Sequence, residues 1–198
     1  MKYLFLFLPI LIAVGLTAQN GNPSHELPYR EIPGHPESYT AETVAARMID
    51  GLGFRYYWAT EGLRPEDLAF RPGDDARTTG ETLDHIHDLS IMVVHAILKK
   101  PNVRGSEKAA LSFEEKRKAT LDNLKTASDL LTSGDLLLED CKIVFQNGEE
   151  TTEFPFWNAI NGPIADALWH CGQVVSFRRS SGNPFNPKVS VFSGKVRE

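Results

Sequence analysis

The stretch GPIADALWHCGQVVSFRRSSGNP, from Gly162 to Pro184, carries an acid, a histidine and a glutamine at Asp166, His170 and Gln173. On a helix, offsets of four and three residues stack these groups on one stripe. Imidazole nitrogen and carboxylate oxygen both ligate divalent first-row metals, so Asp166 and His170 can aim at a common ion. A metal shell needs a further ligand from another element. A plain i, i+4 polar pair supporting the helix needs none, and the spacing alone leaves both readings open.

A second helical stretch, ETLDHIHDLSIMVVHAILKK, offers His85, His87 and His95. At 100° per residue His85 and His87 point about 200° apart, and His95 lies about 15 Å further along the axis than His85. At most one of the three joins a centre with Asp166 and His170. Asp88 shares the side of His85 and is placed to orient it or to complete the shell.

The elements that must position these groups are helices. Thr40 is a plausible N-cap for a first helix through AETVAARMIDGLGFRYYWATEGL, and the link RPEDLAFRPGDDARTTGE ends in Thr79, a cap for the second. The second helix is apolar nearly all round, as expected of a helix inside a bundle. Ser112 followed by Glu115 forms a capping box for a third helix closed by Gly134. Asn147-Gly148 between two strand-like runs predicts a β-hairpin. Asn161 is expected to cap a fourth helix, with Pro163 in its first turn and Gly182 at its end. The tail reads as a short strand or coil. Together these predict an all-α fold, a four-helix bundle with a small β-hairpin inserted before the last helix, the architecture that builds metal sites from facing helices.

Met1-Lys2 followed by YLFLFLPILIAVGL and Ala18 reads as a secretory signal peptide, too short for the roughly 20 residues of a membrane span. The expected organisation is a signal peptide over 1–18, an extended arm over 19–37 with solvent-facing His25 and His35, and one domain over 38–198. This predicts a protein exported to the periplasm or beyond, with no stable membrane anchor. The net charge of −5 comes without any basic block, which argues against a nucleic-acid partner. Cys141 and Cys171 are the only cysteines and read either as a disulfide pair or as two small core residues.

GETLDHIHDL on the second helix with DALWHCGQVVSFRRSSGNP on the fourth resembles the DinB/YfiT-like superfamily of bacterial four-helix bundles, over about residues 40 to 184. The resemblance implies a divalent metal, zinc or nickel, bound by one histidine of the second helix and two of the last. Carried over, these positions are His85, Asp166 and His170, with Asp166 standing where the family has histidine. Gln173 and Asp88 become groups that support the ligands. Some members are thiol S-transferases and others are linked to hydrolysis. Export disfavours a reducing small-thiol cofactor, so the resemblance implies a metal-dependent hydrolase using metal-bound water on an unknown small-molecule substrate. A homodimer is also implied. The alternative is a non-catalytic bundle that binds a small ligand or a protein partner.

Overall fold

Each long helix begins where a side chain meets the free N–H groups of its first turn. The computed structural model describes residues 26–106 and 109–198; the expected signal peptide, the first part of the arm and His25 lie outside these residues. Helix α1 (Ala41–Thr60) starts as expected at Thr40, whose hydroxyl accepts the Thr43 N–H at 3.2 Å. The following link holds a short helix that was not anticipated, α2 (Pro65–Ala69), with proline in its first turn. Helix α3 (Thr79–Ile97) is capped by Thr78, one residue before the expected Thr79. The Thr78 hydroxyl accepts from Glu81 N–H at 3.0 Å while the Glu81 carboxylate accepts from Thr78 N–H at 2.7 Å. Only Thr78 stands three residues before Glu81, so only it can close the box.

After strand β1 (Asn102–Val103), helix α4 (Phe113–Thr132) opens on the expected box of Ser112 and Glu115. Strands β2 (Lys142–Asn147) and β3 (Glu150–Pro155) form the expected antiparallel hairpin around Asn147 and Gly148, and Gly148 takes a φ of +62°. β1 pairs parallel to β2 and makes a three-stranded sheet in the order β1-β2-β3. The tail adds a second antiparallel pair, β4 (Val189–Ser190) with β5 (Lys195–Val196). The described residues are therefore mostly helical with two small sheets, and the all-α expectation was too narrow. Two-residue strands such as β1 carry no periodicity for a sequence pattern to reveal.

Asn161 is not a cap. Helix α5 (Phe156–Ala159) runs into a π turn over Ile160–Ile164 and on into α6 (Ala165–Ser180). Inside the turn Gly162 leaves helical geometry at φ −94°, ψ −109°, and Pro163 brings no N–H to the ladder. Helix α6 ends as expected, with Gly182 at φ +85°.

α1 and α3 each pack against both α4 and α6. One apolar cluster fills the space between them, including Ile49, Phe54, Leu83, Ile86, Leu121 and Val174. Cys141 and Cys171 are buried free thiols of this core, and burial pushes them up to about 11 and about 12.

Two polar devices hold the periphery to this core. Tyr29 of the arm is buried, with its ring against Gly53 and its hydroxyl donating to Asp50 Oδ1 at 3.0 Å. A Cβ on Gly53 would come 2.4 Å from that ring, which is why glycine interrupts α1 there. Trp58 Nε1 donates to the Arg30 carbonyl at 3.1 Å, and Ile32 N–H donates to the Gly194 carbonyl at 2.9 Å. The arm is thus strapped along α1 and to the tail, while His35 is exposed as expected. Beyond the C-terminal end of α1, the buried Asp67 carboxylate accepts from Arg64, from the Ser181 hydroxyl at 2.6 Å and from Asn183 Nδ2 at 2.7 Å. This joins α2 to the end of α6.

Candidate metal centre

α3 and α6 lie side by side, and between them His85, Asp166 and His170 converge. His85 Nε2 stands 3.0 Å from Asp166 Oδ2, and His170 Nε2 stands 3.3 Å from Asp166 Oδ1. The two imidazoles meet edge to face, with ring centres 4.8 Å apart at 83°. Asp166 therefore sits between them and turns one oxygen to each. One ligand atom from each residue falls within 4.8 Å of the others, so the group could hold a metal ion. Metal–ligand bonds of 2.0–2.2 Å in tetrahedral geometry put neighbouring ligand atoms about 3.4 Å apart, close to both acid–imidazole separations. The residues fit such an ion.

Gln173 holds the ring of His170 from its Nδ1 side. His170 Nδ1 lies 2.7 Å from Gln173 Oε1, and a ring that carries its proton on Nδ1 donates it to that oxygen. In the neutral ring Nε2 then offers a lone pair, and that lone pair faces a carboxylate oxygen at 3.3 Å. Two acceptors at that distance repel unless a cation lies between them, and a proton or a metal ion would serve. The side chain of His170 is 14% exposed, against 29% for His85 and 38% for Asp166. The group is walled by protein on one side and open to solvent on the other.

The π turn and the break at Gly162 lie immediately before Asp166, and α3 packs against the turn as well as against α6. Such turns reset the helical register, and here the reset precedes the first of two adjacent ligand positions. No sequence signal marked it beyond the Asn-Gly-Pro run that was read as a helix start.

The structure thus brings together His85, Asp166, His170 and Gln173. It separates the remaining histidines of α3 from them: His87 Nδ1 bonds the Thr120 hydroxyl at 3.0 Å, and His95 Nδ1 bonds Asn102 Oδ1 at 3.1 Å. Asp88 lines a cleft together with His87 and His95. Among the described residues no helix is long and apolar enough to cross a membrane. No family model matches the chain, and neither a curated protein nor a solved structure does.

Proposed function

We propose that the chain is an exported DinB-like protein whose four long helices form the family's bundle, and that it binds a divalent metal, zinc or nickel, through His85, Asp166 and His170 for hydrolysis. The observation that carries this reading is the convergence of one ligand atom each from His85, Asp166 and His170 within 4.8 Å, with His170 Nε2 3.3 Å from Asp166 Oδ1. A pair of lone pairs at that distance is what a cation-binding group requires. His85 completes a shell of two nitrogens and one oxygen, which leaves coordination positions on the solvent side.

A divalent ion bound there would lower the pKa of a coordinated water toward neutrality and polarise a substrate oxygen. The chain's own contributions are geometric and electrostatic. Gln173 fixes the ring of His170. Asp166 in place of a neutral imidazole makes the ligand set one unit more negative and harder, which favours oxygen-bearing substrates over thiols. Burial of His170 keeps one wall dry.

A second reading, a non-catalytic module, is favoured by the 3.0 Å hydrogen bond from His85 to Asp166, which lets the acid and the ring satisfy one another without an ion. Elemental analysis separates the two. The mature chain from about residue 19, without a histidine tag, is expected to carry near-stoichiometric metal that is lost in Asp166→Ala and His170→Ala. Wild-type protein that stays metal-free after reconstitution with zinc, nickel and manganese would overturn the metal reading. Hydrolysis is tested next, by turnover of an ester, amide and phosphoester panel that disappears in His170→Ala.

A further inference from the structure

Asparagine followed by glycine occurs three times in the chain, at Asn20-Gly21, Asn147-Gly148 and Asn161-Gly162. The carboxamide carbon of asparagine and the backbone nitrogen of the next residue can close a five-membered ring, and a following glycine has no Cβ to obstruct the closure. The first pair lies outside the described residues, and the fold treats the other two differently. Asn161 stands inside the π turn, with α5 before it and α6 after it. Asn147 is the last residue of β2 and is exposed at the tip of the hairpin, where Gly148 and Glu149 form a two-residue loop.

At the hairpin both reacting groups are free. Among the described residues neither the Asn147 carboxamide nor the Gly148 N–H has a hydrogen-bond partner, whereas the Gly148 carbonyl accepts from Gln146 Nε2 at 3.0 Å. Nothing lies within 4 Å of where a Cβ on Gly148 would stand. For the ring to close, the extended backbone of Asn147 must rotate about its ψ, and the pair of Asn147 with Glu150 is the terminal rung of the ladder. Only that rung resists the rotation. The same rotation at Asn161 breaks the turn that joins α5 to α6, including the bond from Ala165 N–H to the Ile160 carbonyl.

We propose that Asn147-Gly148 is a site of spontaneous deamidation, which converts the hairpin tip to isoaspartate and aspartate. The Gly148 nitrogen gives up its proton and attacks Asn147 Cγ; the bond from Cγ to the side-chain nitrogen breaks, and that nitrogen leaves with the proton as ammonia. Water then opens the cyclic imide. Cleavage between the main-chain carbonyl carbon of Asn147 and the Gly148 nitrogen leaves the chain running through Cγ as isoaspartate, and cleavage between Cγ and that nitrogen gives aspartate. Either product adds a negative charge beside Glu149 and Glu150, where like charges repel. Isoaspartate also lengthens the main chain by a methylene, which a two-residue loop cannot absorb in register. Asn147 lines the cleft along α3 together with Phe145 and Glu150, so the new charge arises at the rim of that cleft. The site stands apart from the metal reading and survives its failure.

Peptide mapping of the folded chain from about residue 19, incubated for days at pH 8 and 37 °C, tests this. Fragmentation in the mass spectrometer assigns conversion to each of the three asparagines, and transfer of labelled methyl groups by an isoaspartate methyltransferase counts the isoaspartate. Synthetic peptides with the sequences FQNGEET and AINGPIA, incubated alongside, give the rate of each pair without the fold. Asn147 is expected to convert within about tenfold of its peptide, and Asn161 to be slowed by more than that relative to its own. The rate at Asn147 should rise from pH 6 to pH 8, because the attacking nitrogen must lose its proton, and Asn147→Gln should remove the isoaspartate assigned to the tip. An Asn147 that stays intact while its peptide converts fully, an Asn161 slowed no more than Asn147, or a rate at Asn147 that does not rise with pH would each overturn the proposal.

Discussion

Gln173 is no ligand of the candidate centre, yet its Oε1 lies 2.7 Å from His170 Nδ1 while Nε2 faces Asp166. Gln173→Ala should therefore weaken metal about 10–100-fold in a chelator competition, whereas Gln173→Glu, which keeps the acceptor, should hold most of the affinity. Asp166→His restores the arrangement that the DinB-like resemblance implies, and it is expected to retain metal where Asp166→Ala loses it. Asp50 offers a test independent of metal. Its burial pushes the carboxyl above the ordinary aspartate value, against the opposing hydrogen bonds from Ser128 and Tyr29 and the charges of Arg47 and Lys125. A raised acid favours the folded state fully below the unfolded value, about 4, and loses that contribution as pH rises through the folded value. Asp50→Asn should thus gain thermal stability relative to wild type on going from pH 4 to pH 7. A constant difference between the two melting curves would contradict this. Asp166 and His170 were legible as a pair because a helix converts an offset of four into neighbours, whereas His85 was singled out among three histidines by the resemblance alone. Nothing in their spacing revealed that Gln173 would grip the Nδ1 side of His170, since that depends on rotamers set by packing.

Among the elements, the clasp between α2 and the end of α6 rests on Asp67. Arg64 beside it holds this carboxyl well below the usual range, with Ser181 and Asn183 adding to the effect. Its contribution is present above the unfolded aspartate value and fades as pH falls. Asp67→Ala is expected to cost about 2–4 kcal/mol in urea unfolding at pH 7, because three partners lose a buried acceptor together. Gly53→Ala should release the arm, read as faster proteolysis between residues 26 and 34 with α1 intact. Helix starts at Thr40 and Ser112 were legible because their partners stand within three residues. Thr79 was misplaced by one residue, and Asn161 by a whole turn type. A capping residue followed by Gly and Pro reads as a helix start, whereas here two helical runs meet across a kink at Gly162. The clasp itself joins residues more than a hundred positions apart, beyond the reach of any local pattern.

At the scale of the molecule, the mostly helical character was legible from capping residues and apolar runs, and the two small sheets among the described residues only in part. The hairpin announced itself through Asn147-Gly148, whereas β1 and the β4–β5 pair are held by tertiary contacts rather than by their own composition. The resemblance to DinB-like bundles predicts a homodimer; light scattering of the chain from about residue 19 should return twice the chain mass, and a single-chain mass would remove that expectation. The bond from Ile32 to Gly194 carries a different implication. It sets the arm and the tail side by side, so a short linker can join them. A circular permutant that joins residue 198 to residue 26 by a short glycine-rich linker and opens at the exposed Asn147–Gly148 turn should reach the same structure from new ends.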